Sequence, residues 1–541
     1  MPLSQAFQFA AACRLFCWLT AAGLGATAWA AIWRAILLTV AVALGGCAVL
    51  PSHVERPVSS ARVDTGATVL GRVAAASLAD RAGERSAFRL LPDGAGALEA
   101  RLALIERAER TIDVQYYLIA SDATGHEFLR ALTGAAARGV RVRVLVDDLY
   151  ATGEDALFAG LAMQRNVEVR LFNPLPVRGG SFGQRIAFSL HQFARINHRM
   201  HNKLFIADGS FAVTGGRNIA DEYFDRSGDA NFIDMDALST GPVVQALAAV
   251  FDRFWNSEHA YPVQSLVRQA PTAETFARLL AGVGATPETK RDDAAHLAGE
   301  LDLGRLVLDE ADAEVLADSP DKADGDSAAP TVAEAHRALI GSARSSVVLA
   351  SPYFVPGEAT MKTLSALRAN DVEVSVLTNS LATTDEPLVH IGYSRHRAAL
   401  LRAGVDLHEL MPSADAGTEL PMSLGSSGRG SSSLGRLHTK ISVVDGETTF
   451  LGSMNLDSRS ARLNTEAGIV VRSAALARQV AEFLRARRER GSYALHLTEG
   501  KLSWLSTCRG EERVHTAEPG TAAMPALPVR LVAKMLGEDI L

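Results

Sequence analysis

The chain has 541 residues, a length typical of about three domains. Of these residues 48% are hydrophobic and 21% are charged, and this composition excludes wholesale disorder and collagen-like repeats. The 54 Lys and Arg residues are outnumbered by 61 Asp and Glu residues, and the net charge of −7 argues against a protein held to nucleic acid by a basic surface. Four Cys residues are too few for a disulfide scaffold.

The N-terminus has the features of an export signal. Residues 1–46 contain no acidic side chain and include an apolar run after Arg34. The tetrapeptide Leu44-Gly45-Gly46-Cys47 resembles a bacterial lipobox, in which the Cys is acylated and becomes the first residue. We therefore expect lipidation at Cys47 and, because Ala48 rather than Asp follows it, a lipoprotein of the outer membrane that faces the periplasm.

A membrane-spanning helix is the alternative interpretation of this region. Residues 15–33 supply 19 uncharged residues, which is about enough to cross a bilayer, and such a helix would hold the protein in the inner membrane. Both interpretations place the body of the protein at a membrane. Removal of residues 1–46 takes away two Arg and no acid, so the net charge of the mature chain would become −9.

The rest of the chain has two copies of one α/β pattern. The alternating strand at 139–147 recurs at 371–379, and the strand at 167–174 recurs at 405–412, with an offset between 232 and 238 residues. Strands alternate with helical stretches in both copies, and this order indicates α/β units with parallel strand pairing. We therefore predict a duplicated α/β domain.

The two copies are joined by a polar connection that ends in the acidic run 309–326. Its composition favours a solvated linker, although Ala313–Asp318 is similar to Ala87–Asp93 and is a candidate short strand. The expected organisation is a signal peptide or anchor at 1–46, an N-terminal tether at 47–85, a first domain at 86–261, a linker at 262–310, a second domain at 311–490, and an appendage with an amphipathic helix at 491–541.

A His-x-Lys pair stands at the same place in both copies. Fourteen His and seven Lys residues predict about 0.2 such pairs by chance, whereas this chain has two with identical downstream spacing. The first copy has His201, Lys203, Asp208, Gly215, Gly216 and Asn218, and the second has His438, Lys440, Asp445, Gly452, Ser453 and Asn455.

The spacing of these residues points to phosphate chemistry. On a strand, residues two apart share a face, so the His and Lys of each pair point together. If the copies pack face to face, the two Lys side chains can bind a phosphate together with Gly216, Asn218, Ser453 and Asn455. One His, which is neutral, then attacks phosphorus, and the other His, which is protonated, acts as the acid. Neither a metal nor another cofactor is expected, because the cationic side chains can stabilise the phosphate charge in place of a metal ion.

The two Asp residues of the motifs have a more local explanation. Asp208 and Asp445 each precede Gly, and Asp-Gly is a favoured dipeptide of tight hairpins. Both belong to the motif and are candidate catalytic residues on that ground. A structural role in the turn is nevertheless the interpretation that the dipeptide favours.

This doubled pattern resembles the signature of the phospholipase D superfamily, His-x-Lys-x4-Asp-x6-Gly-Gly/Ser-x-Asn, over about residues 86–490. Further segments are similar to the bacterial cardiolipin synthase branch, in particular its C type: Phe88–Gly94, Asp113–Tyr117, Arg199–Lys203, Gly216–Phe224, Ser351–Phe354 and Asn455–Glu466. The resemblance implies two α/β/α sandwich domains around one shared site, a covalent phosphohistidine intermediate, and His201 as the usual nucleophile.

The resemblance also implies an acidic residue, 28 positions after each His, that orients the ring. Glu466 lies 28 positions after His438. In the first copy that position is Asp229, but Asp236 fits the local pattern better. We therefore expect Glu466 to orient His438 and Asp236 to orient His201.

The activity that the resemblance implies is membrane-associated phosphatidyl transfer. The expected partners are phospholipids, with phosphatidylglycerol as the substrate and phosphatidylethanolamine as an alternative substrate. The membrane surface is the other expected partner, and an Arg- and Phe-rich segment at 178–193 is a candidate to contact it. Hydrolysis to phosphatidic acid is the alternative, and a nuclease is disfavoured by the export signal and the mature charge. No nucleic-acid partner is expected.

Overall fold

The computed structural model describes residues 49–62, 66–78, 85–151, 153–282, 294–325, 329–412, 434–508 and 511–520. The predicted signal or anchor at 1–46, the lipidation site Cys47 and the predicted C-terminal amphipathic helix lie outside these residues and stay predictions. Within the described part of the chain, no helix has the length and apolar character needed to cross a bilayer.

The first copy forms a mixed sheet with helices packed on it. Its strands are β1 (Ser86–Leu91), β2 (Thr111–Tyr116), β3 (Arg141–Asp147), β4 (Val167–Phe172), β5 (Leu204–Ala207), β6 (Phe211–Gly215), β7 (Ala230–Ile233), β8 (Asp236–Thr240) and β9 (Ala260–Pro262). The helices of the first copy, together with those of the segment between the two copies, are α1 (Val69–Ser77), α2 (Gly94–Arg107), α3 (Ala123–Ala137), α4 (Asp155–Leu161), α5 (Phe182–Ser189), α6 (Phe193–Ile196), α7 (Pro242–Trp255), α8 (Val263–Leu266), α9 (Ala273–Ala281) and α10 (Ala294–Asp302).

The second copy repeats this design. Its strands are β10 (Asp309–Ala317), β11 (Ser346–Ala350), β12 (Glu373–Asn379), β13 (Asp406–Leu410), β14 (Leu434–Leu437), β15 (Ile441–Val444), β16 (Thr448–Gly452), β17 (Ala467–Arg472), β18 (Ser492–Thr498), β19 (Lys501–Cys508) and β20 (Glu511–His515). Its helices are α11 (Val332–Gly341), α12 (Glu358–Ala369), α13 (Pro387–Ser394), α14 (Arg397–Arg402), α15 (Ser458–Arg462) and α16 (Ala474–Gly491).

The strand orders of the two copies correspond one to one. The first sheet runs β9–β4–β3–β2–β5–β6–β8–β1, and the second runs β18–β13–β12–β11–β15–β16–β17–β10, with β19 and β20 added beyond β18. In each sheet three strands pair in parallel and the others are antiparallel. The predicted α/β fold with an internal duplication is confirmed.

The acidic stretch between the copies is a strand and not a solvated linker. β10 pairs with β1 through residues 309–311 and with β17 through residues 312–317, so it joins the two sheets. Its apolar side chains occupy alternate positions: Ala311 is fully buried, whereas Asp312 and Glu314 are exposed. The interpretation as a linker was wrong here, whereas the candidate strand at Ala313–Asp318 is confirmed within β10. Glu310, Asp312 and Glu314 alternate with apolar residues and lie on the opposite side of a strand with period two. Part of the predicted linker is also helical, in α8, α9 and α10.

A single hydrophobic cluster contains buried residues of both copies. It includes Phe251 and Trp255 from α7 and Phe483 and Leu484 from α16, which are equivalent helices. Each such side chain stabilises the folded state by about 1.5–3 kcal/mol when it is fully buried. The shared core fixes one copy against the other and therefore fixes any site that the two copies build together.

Candidate functional site

The two His-x-Lys segments meet because each one is hydrogen-bonded to the other copy. The backbone N–H of His201 donates to the Thr465 carbonyl, at 2.9 Å, and the backbone N–H of His438 donates to the Ile233 carbonyl, at 2.8 Å. β14, which leads into His438, pairs in parallel with β7 of the first copy. The strand ends thus bring both motifs into one site, as predicted.

Each imidazole is oriented by a carboxylate from the opposite copy. His201 Nδ1 lies 2.9 Å from Glu466 Oε2, and His438 Nδ1 lies 2.7 Å from Asp234 Oδ2. A neutral ring that donates its Nδ1–H to the carboxylate keeps the Nε2 lone pair for attack on phosphorus. The predicted pairing of Glu466 with His438 is therefore wrong, because Glu466 serves His201.

The prediction of Asp236 as a ring-orienting residue is also wrong. Strand register pairs Gly215 with Asp236 in the first copy and Gly452 with Gly468 in the second, so Asp236 corresponds to Gly468. Two residues earlier, Asp234 corresponds to Glu466. Asp234 lies 19 positions after Gly215, whereas Glu466 lies 14 positions after Gly452, and this longer loop breaks the spacing of 28.

Asp236 has a structural role in the first domain. Its carboxylate lies 2.9 Å from Arg101 Nη2 and 3.4 Å from Arg217 Nη1, and all three side chains are almost completely buried. Arg217 in turn donates to the Leu91 and Asp234 carbonyls, at 2.8 and 2.7 Å. Asp236 therefore neutralises two arginines beneath the site and does not reach an imidazole.

Both motif lysines are buried beside the imidazoles. Lys203 Nζ donates to the His201 carbonyl, at 2.6 Å, and Lys440 Nζ lies within 3.0 Å of both ring nitrogens of His438. Burial, with repulsion between neighbouring cations, lowers the pKa of His201 to about 4 and the pKa of His438 well below its usual range. Burial also lowers the pKa of Lys440 to about 8 and the pKa of Lys203 well below its usual range.

These shifts indicate a site that needs an anion. Four groups that can carry positive charge stand together, and the two carboxylates in contact with the imidazoles offset part of that charge. Although burial raises the pKa of Glu466, contact with His201 lowers it overall, so this carboxylate stays charged. A phosphodiester between the imidazoles would supply further negative charge and would stabilise the protonated lysines and the protonated form of His438.

Gly216 and Ser453, which are predicted to bind phosphate, support the two carboxylates in this structure. The Ser453 hydroxyl donates to Glu466, and the Ser453 N–H donates to the Ala467 carbonyl, at 2.9 Å. A Cβ added to Gly216 would stand 2.4 Å from Asp234 Oδ1. A glycine is required there because the shorter aspartate must approach the backbone to reach His438.

Asn218 and Asn455 occupy equivalent buried positions in the two copies. The Oδ1 atom of each is buried without a hydrogen-bond partner, while Asn218 Nδ2 donates to the Tyr223 hydroxyl, at 2.9 Å. A buried polar atom without a partner is costly, and its occurrence at both symmetric positions indicates that a ligand completes the bonding there. Rotation of either amide would present its NH2 group as a phosphate donor.

Asp208 and Asp445 tie the hairpins to neighbouring strands. Their φ angles are +49° and +54°, and the Asp208 carboxylate accepts backbone N–H groups from residues 109–111, as Asp445 does from residues 344–346. At about 3.3 Å per residue, Asp208 stands about 16 Å from Lys203. The structure thus places both in turns, apart from the imidazoles.

Several residues near the imidazoles were not singled out from the sequence. The Tyr117 ring lies 5.1 Å from the His201 ring, and Tyr223 and Phe232 lie 5.0 and 4.8 Å from the His438 ring. These aromatic walls shield the site from water. No spacing rule marks them, although Tyr117 and Tyr223 fall within segments that carry the family resemblance.

Two further side chains hold the motif segments in place. Asp147 Oδ2 accepts the Met200 N–H at 2.8 Å and contacts Arg199 Nε at 3.1 Å. Its equivalent Asn379 bonds to the N–H and the carbonyl of Leu437, at 2.9 and 2.8 Å. The signal for both was available, because each ends the same repeated strand and functional groups collect at the carboxyl ends of parallel strands.

The comparisons with known proteins agree with this geometry. A family profile described as "Cardiolipin synthase, PLD-like domain" matches residues 102–255 and 337–487, together more than half of the chain. Cardiolipin synthase C of Escherichia coli K12 is 35% identical over 81% of this chain and 92% of its own length. A cardiolipin synthase of Geobacillus kaustophilus is 27% identical over 70% of this chain and 61% of its own length.

A solved structure shares the fold. The crystal structure of phosphatidylserine synthase from Haemophilus influenzae Rd KW20 matches with a TM-score of 0.54 and 14% sequence identity, covering 85% of this chain and 93% of that one. This likeness concerns the fold alone. The profile match and the 35% identical relative show that the chain belongs to the phospholipase D-like cardiolipin synthase family.

Proposed function

We propose that this member of the phospholipase D-like cardiolipin synthase family is a phosphatidyltransferase that joins two phospholipids into cardiolipin. The observation that carries the proposal is the pair of buried imidazoles, each held by a carboxylate of the other copy and accompanied by a lysine. Such an arrangement provides a nucleophile, an acid and phosphate-binding charge in one enclosed place.

His201 is the nucleophile in the proposed reaction. Lys203 contacts the carbonyl of His201, whereas Lys440 lies against both ring nitrogens of His438. Nε2 of His201 attacks phosphorus and forms the N–P bond, and the P–O bond to the leaving alcohol breaks. His438 gives its proton to that alcohol oxygen, while Glu466 stabilises the positive charge that develops on His201.

The second half of the reaction is the reverse, with a different alcohol. The hydroxyl of the acceptor lipid attacks phosphorus, its proton passes to Nε2 of His438, and the N–P bond breaks to free His201. We propose phosphatidylglycerol as donor and acceptor, with phosphatidylethanolamine as an alternative lipid. If water entered instead of the acceptor, the product would be phosphatidic acid.

The proposal extends to the location of the protein. A lipoprotein signal ending at Gly46 and an acylated Cys47 would hold the enzyme at the outer membrane, facing the periplasm, where its lipid substrates are. A spanning helix at 15–33 is the alternative anchor and would place it in the inner membrane. The uncharged N-terminal stretch and the Leu-Gly-Gly-Cys sequence support these proposals.

One experiment tests the activity and the intermediate together. Purified protein is given phosphatidylglycerol, alone and mixed with phosphatidylethanolamine, in detergent micelles, and the products are identified by mass spectrometry. We expect cardiolipin from the wild type, with and without EDTA, and none from His201→Ala or His438→Ala. Phosphatidic acid as the main product would replace the transferase with a hydrolase.

The identity of the nucleophile has its own test. A phosphatidyl ester of p-nitrophenol has a leaving group that needs no acid, so His438→Ala should still form the phosphohistidine and should accumulate it. Acid quenching and peptide mass spectrometry should locate the adduct at His201. An adduct at His438 in the His201→Ala variant, with none at His201 in His438→Ala, would reverse the assignment.

A further inference from the structure

A second group of metal-ligating side chains lies outside the catalytic site. Glu258, His259 and Asp324 each offer one ligand atom, and these atoms all lie within 4.8 Å of one another. Glu258 and His259 belong to the turn between α7 and β9, and Asp324 ends a 3-10 helix at Pro320–Asp324, after β10. The group therefore links the first copy to the segment that enters the second.

His259 is the buried member of this group. Its side chain is 8% exposed, and Nε2 is buried without a hydrogen-bond partner, since Asp324 Oδ2 is 3.3 Å away but outside hydrogen-bonding geometry. The ring packs 5.6 Å from the Phe172 ring, and the His259 carbonyl accepts the Asn173 N–H, at 2.8 Å. The imidazole is thus held with an unsatisfied nitrogen close to carboxylate oxygens.

A cation between these side chains would offset the two carboxylates and give the imidazole nitrogen a partner. A lone pair of a neutral imidazole that faces two carboxylates is repelled, and leaving the nitrogen unpaired costs about 1–3 kcal/mol. The nearby lysine does not supply the charge, because Lys322 Nζ is bound to Asp318, at 2.8 Å. Arg195 donates to the Asn173 side chain and to the Pro174 carbonyl.

We propose that Glu258, His259 and Asp324 bind a divalent transition-metal ion, with Zn2+ as the probe. One imidazole nitrogen and two carboxylate oxygens form a ligand set that zinc accepts, and water completes the coordination. The Asp324 side chain is 50% exposed, so an ion has access from solvent. The presence of an imidazole disfavours Ca2+ and Mg2+, which prefer oxygen ligands alone.

The ion would act on stability and not on the reaction itself. Six residues before Asp324, the Asp318 carboxylate accepts the Glu466 N–H at 2.9 Å and the Val332 N–H at 2.8 Å. The segment that would carry the ion therefore also holds the backbone of the residue that orients His201. A metal bridge from His259 to Asp324 would fasten this segment to the first copy.

The test uses the full chain after removal of metals by a chelator. We expect calorimetry to show one Zn2+ bound per chain, a rise of the thermal midpoint on binding, and d–d absorption bands when Co2+ is used instead. His259→Gln and Asp324→Asn should each weaken binding by about tenfold or more and abolish the thermal shift. Glu314→Gln, an exposed carboxylate on β10, is the matched control and should bind as the wild type does.

The catalytic imidazoles are a competing place for the probe, so the titration is repeated in the His201→Ala/His438→Ala double variant. Retention of one bound ion there supports the proposal, and its loss would assign the ion to the catalytic site. Unchanged affinity in Asp324→Asn would overturn the proposal, and that exposed substitution keeps the test valid even if His259→Gln does not fold. No zinc binding by the wild type would also overturn the proposal.

Discussion

Asp234 and Asp236 are two positions apart and both are fully buried, yet their carboxylates serve different purposes. Asp234 holds His438, whereas Asp236 neutralises Arg101 and Arg217. We predict that Asp234→Asn lowers kcat by about 10²–10⁴-fold with little change in thermal midpoint, because the ring loses its orienting charge. Asp236→Asn should instead lower the free energy of unfolding by about 3–5 kcal/mol, because two arginines stay buried without a counter-charge.

The matched control for both substitutions is Asp229→Asn. Asp229 is exposed and stands 28 positions after His201, where the family spacing would place the partner. Steady-state kinetics and urea unfolding of the three variants separate the roles. A stable Asp236→Asn protein with a large loss of kcat would contradict the assignment made from strand register.

The lysines predict how anion binding depends on pH. Burial lowers the pKa of Lys440 to about 8, so its positive charge is present below that pH and is lost as the pH rises through it. We expect the affinity for tungstate, which stays a dianion throughout the neutral and alkaline range, to weaken above about pH 8. Lys440→Met should bind tungstate more weakly and without this step, as measured by calorimetry. A step of equal size in the variant would assign the titration to another group.

At the level of strands, the glycines of the two motifs allow the β6–β8 and β16–β17 pairs to approach. A Cβ on Gly452 would lie 2.5 Å from both the Ala467 carbonyl oxygen and the Gly468 Cα, which are backbone atoms and cannot turn aside. We predict that Gly452→Ala lowers the free energy of unfolding by about 1–3 kcal/mol and reduces kcat, because β17 is pushed away together with Glu466.

Gly134→Ala is the control for that substitution. Gly134 is exposed in α3, and a Cβ there would meet no atom within 4 Å. An alanine at this helical position should raise the free energy of unfolding by about 0.5–1 kcal/mol and leave kcat unchanged. Equal losses of stability in both variants would mean that close approach at Gly452 is not what the motif glycine provides.

The strands also show what the sequence can and cannot predict. The His201–Lys203 and His438–Lys440 faces follow from the two-residue period, and the duplication follows from the constant offset, so both were predictable. The exchange of carboxylates was not, because it arises from contacts between copies, such as the pairing of β14 with β7. β10 was predicted only in part, as the candidate strand at Ala313–Asp318, because its acidic composition favoured a linker. Asp234 was missed because the loop before it is longer in the first copy.

For the whole molecule, the exchange of carboxylates makes the two copies interdependent. A first copy alone would contain His201 without Glu466, and a second copy alone would contain His438 without Asp234. The shared core around α7 and α16 keeps these pairs in place. The duplication therefore produces one active site and not two.

The segment from 178 to 193 is a candidate for contact with the bilayer. Phe182 and Phe193 are 47% and 51% exposed, but Arg185 is fully buried and donates to the Val177 carbonyl, at 2.9 Å. The two rings are therefore available to a membrane, whereas Arg185 is not. We predict that Phe182→Ser/Phe193→Ser weakens vesicle binding by about tenfold or more without a change in thermal midpoint, as measured by co-sedimentation. Unaltered sedimentation would remove this segment from the membrane contact.

The anchor at Cys47 would hold the body close to the bilayer, because the chain after it is soon fixed. Arg56 Nε donates to the Ala260 carbonyl at 3.3 Å, and the Ser59 N–H donates to Asn256 Oδ1 at 3.1 Å, so the predicted tether packs on the first domain from Arg56 onward. Arg56 is nine positions after Cys47, and a chain of that length spans at most about 32 Å. We predict that Cys47→Ser, expressed in a bacterium, loses labelled palmitate and most activity on vesicles, but keeps its activity on short-chain soluble phospholipid. Cys508→Ser is the control and should keep the label, whereas membrane retention of unlabelled Cys47→Ser would favour the helix at 15–33 as the anchor.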